Sequence, residues 1–185
     1  MVLHPGSVAF LRVLMNMPQV IGTASLRRVQ AVGFPAFICE SSDSGKVLAE
    51  IARIGWFRLL FGRGIRIRLP DGAEWRMSSL GVAGQLVPIV RCDAGKLAVG
   101  ASVGSRSYGI NGRDFAYNLY PETARGIRRH TWHLREHETH LATMTPQSIT
   151  SDQPVPLAAV LLCFVLIKYG IPGEASFGIP DFRWA

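Results

Sequence analysis

The chain has little cysteine, little lysine and few acids for its length. Its three cysteines, Cys39, Cys92 and Cys163, are odd in number, far apart and form no C-x-x-C pair, which argues against a disulfide framework and a cysteine zinc site. No glycine-rich phosphate loop enters a helix: the stretch from Gly81 to Gly84 lacks both the lysine and the helix such a loop needs. Nothing places a serine on a nucleophile elbow, so no catalytic residue is assigned and the chain is not read as an enzyme. The apolar N-terminal stretch carries no basic start and is interrupted by Arg12, which argues against a secretory signal and for an intracellular protein. Charged residues are only 18% of the 185 positions and hydrophobic ones 48%, so intrinsic disorder is excluded as well. A chain of this size buries about 70% of its unfolded surface and can build its own core.

What charge there is leans one way. Lysine plus arginine number 20 against 13 acids, giving a net charge of +7, and 17 of the 20 bases are arginine. That excess favours anionic partners such as phospholipid headgroups, nucleic acid or phosphorylated ligands without choosing among them.

From residue 36 to residue 145, short apolar-rich segments alternate with turn signals every 8–12 residues or so, the rhythm of an antiparallel barrel or sandwich. The turns are Ser42 to Gly45, Pro70 to Gly72, Asp93 to Lys96 and Asn111 to Asp114. Gly tolerates positive φ, Pro presets φ, and Asn and Asp bond their own backbone. Between the turns the period is two. Ile65, Ile67 and Leu69 share a face opposite Arg66 and Arg68, and Trp75 and Met77 alternate with Glu74, Arg76 and Ser78. Asn111-Gly112 reads as a two-residue hairpin turn, with Phe115, Tyr117 and Leu119 lining one face of the returning strand. Val87 and Ile89 with Leu97, Val99 and Ala101 read as another pair. Lys46 to Phe57 fits an amphipathic helix and a strand equally.

The run from Pro154 to Ile167 is different, being too long for an ordinary strand and apolar all the way round. Asp152 or Ser151 is placed to cap it, Pro154 and Pro156 suit a first turn, Lys168 complements the C-terminal dipole, and Gly170 followed by Pro172 stops it. From Leu157 to Tyr169 such a helix is about 20 Å long at 1.5 Å per residue, short of a hydrocarbon core of about 30 Å. The expectation is burial in protein. Barrels of about eleven strands are wide enough to hold one central helix.

Together, Phe34 to Ile38 leading into Lys46 to Ile51, then Ile65 to Arg76, Trp132-His133-Leu134 and finally Pro156 to Lys168 resemble the tubby C-terminal-like superfamily, which groups the tubby, LURP-one-related and phospholipid scramblase proteins. The resemblance spans residues 34 to 170. It implies a mainly β fold, a closed antiparallel barrel of about twelve strands around a buried hydrophobic C-terminal helix at residues 153–170. Residues 1–33 would then be first strands or an amphipathic helix of the same domain, and residues 171–185 a tail. The resemblance also implies association with phospholipid or membrane. The scramblases' cysteine-rich stretch and acidic calcium segment have no counterpart here, since only Asp152 is acidic between Thr145 and Gln153.

Two sets of residues carry chemistry. His130, His133, His137 and His140 fall within eleven positions, and His133 to His137 matches the H-x-x-E-H zinc-protease pattern. That chemistry needs a helix, with Glu136 activating a metal-bound water. Thr131 and Trp132 favour strand and Arg135 to Glu138 a polar turn, so a hairpin is expected, splitting the histidines between faces. The arginines form the second set. Arginine binds phosphate through two parallel hydrogen bonds, and Arg66, Arg68, Arg76, Arg106, Arg113, Arg128 and Arg129 are the candidate ligand-binding residues if their hairpins share a barrel face. The plain alternative is a polar outer face in a chain that uses arginine for it. Tyr108, Tyr117, Tyr120 and Trp132 read as sheet-packing aromatics, and no nucleic-acid partner is expected.

The sequence therefore predicts a non-catalytic binding domain, cytoplasmic or peripheral at the membrane, that engages anionic phospholipid or another phosphate-bearing ligand through a basic barrel face. It implies no cofactor and no metal. The alternatives are a scramblase-like lipid transporter anchored by the C-terminal segment, and a metal-dependent hydrolase using His133, Glu136 and His137.

Overall fold

Strands form where the sequence alternates and end where its turn residues stand. A computed structural model of the protein describes residues 17–29, 34–52, 64–82, 85–104, 107–122 and 131–169. Among them are twelve strands: β1 Gln19–Arg28, β2 Phe37–Ser41, β3 Val47–Ile51, β4 Ile65–Arg68, β5 Glu74–Val82, β6 Gln85–Cys92, β7 Gly95–Gly104, β8 Ser107–Asn111, β9 Ala116–Pro121, β10 Trp132–Glu136, β11 Thr139–Met144 and β12 Ser148–Pro156. One helix follows, α1 Leu157–Tyr169. Each strand pairs antiparallel with its sequence neighbours, and β1 also pairs with β12, so the sheet closes on itself. Closure removes the open edges that would otherwise invite aggregation.

The expected barrel around a buried helix is the observed fold. Leu157 through Leu166 are all nearly inaccessible to solvent, as the all-round apolarity requires. The helix packs against β1, β6, β7, β8 and β12. Phe164, Leu161 and Val165 meet Ile51, Ile65, Ile67 and Met77 across a gap of only about 10 Å³, about the least space that can hold a water molecule. That side of the barrel is therefore packed core and leaves no chamber for a ligand. Gly100 of β7 lets the helix approach closely, because a Cβ there would stand 2.9 Å from Leu166 and 3.2 Å from Leu162. Among the described residues, no helix is long and apolar enough to cross a membrane.

Local details differ from the sequence reading. Strand β12 runs directly into α1, so Pro154 and Pro156 are strand residues and neither Ser151 nor Asp152 is the helix cap. The first helical N–H, that of Leu157, instead donates to the Pro18 carbonyl at 2.8 Å, a backbone partner that no capping motif reveals. Asn111-Gly112 is no two-residue turn. Asn111 pairs with Ala116 around a longer loop in which the Gly112 N–H donates to Phe115 O, and the Phe115 ring occupies the space a Cβ on Gly112 would need. Residues 47–51 form strand β3, which resolves the helix-or-strand ambiguity as far as Ile51. Val90, rather than Ile89, pairs with the core-facing Met77, so Val87, Ile89, Val99 and Ala101 stand on the other side of the sheet. Within the N-terminal segment 1–33, Gln19–Arg28 is strand β1, while residues 1–16 and 30–33 and the C-terminal tail lie outside the described residues.

Candidate anion-binding face

The basic face is built by register. In β4 and β5, Ile65, Ile67, Trp75 and Met77 point inward and are buried, which forces Arg66, Arg68, Glu74 and Arg76 outward. Arg66 stands directly opposite Arg76, Arg76 opposite Arg91 of β6, and Arg91 opposite Lys96 of β7. All four are exposed. At a strand spacing of about 4.8 Å, they form a row about 14 Å long across four strands. Like charges directly opposite one another in a sheet are unfavourable, and among the described residues none of these four has a carboxylate within ion-pair distance. Arg66 is held from the side, its guanidinium 4.3 Å from the centre of the Phe34 ring.

Two residues along the same strands lies a second row with opposite character. Arg68 is flanked by Glu50 of β3 and Glu74 of β5, 3.8 Å from each, so this row alternates in sign. Across the middle of the row, over β5 and β6, lies a surface cleft of about 600 Å³. Its lining includes Arg76, Arg91 and Ser78, together with the carboxylates Glu74 and Asp93 and the partly buried Cys92. The cleft floor therefore carries both signs, and the excess positive charge comes from the ends of the row, Arg66 and Lys96.

Three of the seven arginines expected to bind ligand, Arg66, Arg68 and Arg76, share this face. Arg113 stands in the turn after β8, the strand next to β7, at the same end of the barrel as the β4–β5 and β6–β7 turns. Arg106, Arg128 and Arg129 lie outside the described residues. Sequence reading missed Arg91 and Lys96. Arg91 joins the row through the alignment of β5 with β6, and Lys96 through a bulge at which Leu97 is the extra residue; alternation within one strand places neither.

The histidines follow a different rule. His133 to Glu136 belong to β10 and His137 occupies the turn with φ 52°, so the H-x-x-E-H pattern is on a hairpin and not on the helix that a protease site requires. His133 and His140 nevertheless share a face, with His133 Nδ1 3.3 Å from His140 Nε2, which corrects the expected split between faces. His130 lies outside the described residues. Among those described, no group of three or more histidine, cysteine, aspartate or glutamate side chains is arranged to hold a metal. Of the aromatics, Tyr108 and Tyr117 are buried, Tyr108 stacks on Trp132 at 5.8 Å, and Tyr120 is exposed.

The strongly perturbed thiols are structural. Burial, reinforced by the Glu40 charge, pushes the Cys39 thiol up to about 12, and burial likewise raises that of Cys163. Both are kept protonated inside the core, away from the basic face and unsuited to nucleophilic attack. No protein-family model, no curated protein and no solved structure matches this chain, so the reading of its function starts from these side chains.

Proposed function

We propose that the chain is a non-catalytic binding domain whose barrel face at β4 to β7 holds phosphate-bearing anions, in the first place the headgroups of anionic phospholipids at a membrane surface. The observation that carries this reading is the row Arg66, Arg76, Arg91 and Lys96, four cations in directly opposed positions with no carboxylate partner among the described residues. A polar outer face alone would be served by alternating charges, as in the adjacent row Glu50, Arg68 and Glu74. Guanidinium groups suit phosphate because their paired N–H donors match its oxygens. The packed interior supports a surface site over a lumenal one. The resemblance to tubby and scramblase-like proteins points the same way. The anchored-transporter alternative requires the C-terminal helix to leave the barrel, and its uniform burial weighs against that.

The test is co-sedimentation of the full chain with phosphatidylcholine vesicles, with and without phosphatidylserine or a phosphoinositide. Binding only to the charged vesicles, weakening as salt shortens the reach of the charges, is the expected result. A parallel titration with inositol hexakisphosphate separates a lipid surface from a soluble phosphate ligand. Equal binding to neutral vesicles, or no binding to any of these anions, refutes the reading.

A further inference from the structure

The β10–β11 hairpin carries a second site with different chemistry. Leu134 pairs with Ala142 but Arg135 pairs with His140, leaving Leu141 as the extra residue of a bulge. In an unbulged register His140 would stand opposite Glu136, on the core side shared with Leu134. The bulge turns His140 outward beside His133 and sends Leu141 into the core, where it is 4% exposed. A buried serine supports this arrangement: Ser151 Oγ of β12 lies 2.7 Å from the Leu141 carbonyl oxygen. Bulges commonly re-aim a side chain in this way.

The result is a matched pair of imidazole nitrogens, His133 Nδ1 and His140 Nε2, 3.3 Å apart at the surface. The two nitrogens share a hydrogen bond, and since nitrogens each about 2.05 Å from a tetrahedral zinc ion are also separated by about 3.3 Å, a metal ion can replace the shared proton at the spacing the pair already has. Thr143 Oγ1, 3.2 Å from His140 Nε2, bounds the site on the β11 side. Imidazole ligands suit zinc, copper and nickel, whereas the oxygen-preferring magnesium and calcium would find little here. We infer that His133 and His140 form a bidentate surface site for a divalent transition metal of the zinc and copper class, with water completing the coordination sphere. His137, in the turn, is not one of its ligands. This inference is independent of the anion-binding face, which lies on other strands.

Calorimetric titration of the tag-free full chain with Zn²⁺ tests it. The parent is expected to bind, with His133→Ala and His140→Ala each weakening that binding by about tenfold or more and His137→Ala leaving it unchanged. Circular dichroism without metal verifies that each variant is folded. A second readout needs no affinity: the nitrogen hyperfine pattern of bound Cu²⁺ should count two imidazoles in the parent and one in either ligand variant. Absence of Zn²⁺ binding at millimolar metal, or binding equally strong in folded His133→Ala and His140→Ala, overturns the inference.

Discussion

Two rows of outward side chains, two residues apart on shared strands, handle charge in opposite ways. In one, Glu50, Arg68 and Glu74 alternate in sign across β3, β4 and β5, with both ion pairs at 3.8 Å. In the other, Arg66, Arg76, Arg91 and Lys96 repeat a single sign across β4 to β7. The first row gives a sheet the wet, charged exterior it needs at no electrostatic cost. The second sets like charges directly opposite one another, which is unfavourable in a sheet, and among the described residues no carboxylate offsets them. On the proposed function the first row serves solubility and the second a ligand, and each can be altered without touching the core.

The largest effect is expected from removing the single-sign row altogether. Each basic residue near an anionic bilayer contributes about 1 kcal/mol, so changing Arg66, Arg76, Arg91 and Lys96 together to Gln should weaken binding to phosphatidylserine vesicles by about a thousandfold. Single alanine variants sharpen the contrast. Arg76→Ala should lose about fivefold in vesicle affinity and leave the urea midpoint unchanged or slightly raised. Arg68→Ala should do the reverse, lowering stability by up to about 1 kcal/mol while vesicle affinity stays within about twofold, because two carboxylates already stand beside it. Equal loss of affinity in the two variants would erase the distinction between the rows. The smallest effect is a gain: Glu74→Gln frees Arg68 and removes a carboxylate from the cleft, and vesicle binding should tighten by roughly twofold to fivefold.

How far these features are legible from sequence depends on regularity. The β4–β5 hairpin alternates without interruption, so the inward Ile65, Ile67, Trp75 and Met77 and the outward Arg66 and Arg76 follow from period two alone. The barrel and its enclosed helix follow from strand spacing and from thirteen residues too short for a bilayer and too apolar for a surface. Bulges defeat the same reasoning. Leu97 and Leu141 each add one residue to a strand, and beyond each the alternation changes face, bringing Lys96 into the arginine row and His140 beside His133. The pairing of Arg76 with Arg91 was hidden for a related reason, since it depends on how β5 and β6 are aligned and not on either strand alone. The backbone cap of α1 by Pro18, 139 residues away in sequence, leaves no local signal at all.

If the row without a carboxylate partner among the described residues serves a ligand and not the fold, Arg76→Glu separates the two roles. The substitution sets a carboxylate between Arg66 and Arg91, so the folded chain should gain a few tenths to about 1 kcal/mol in urea unfolding. The decisive measurement is the affinity of that variant for phosphatidylserine vesicles. A loss of about thirtyfold, from a change of two charges in the middle of the row, is the predicted result. An affinity equal to the parent's, in a variant that remains folded, would rule out a ligand role for the row.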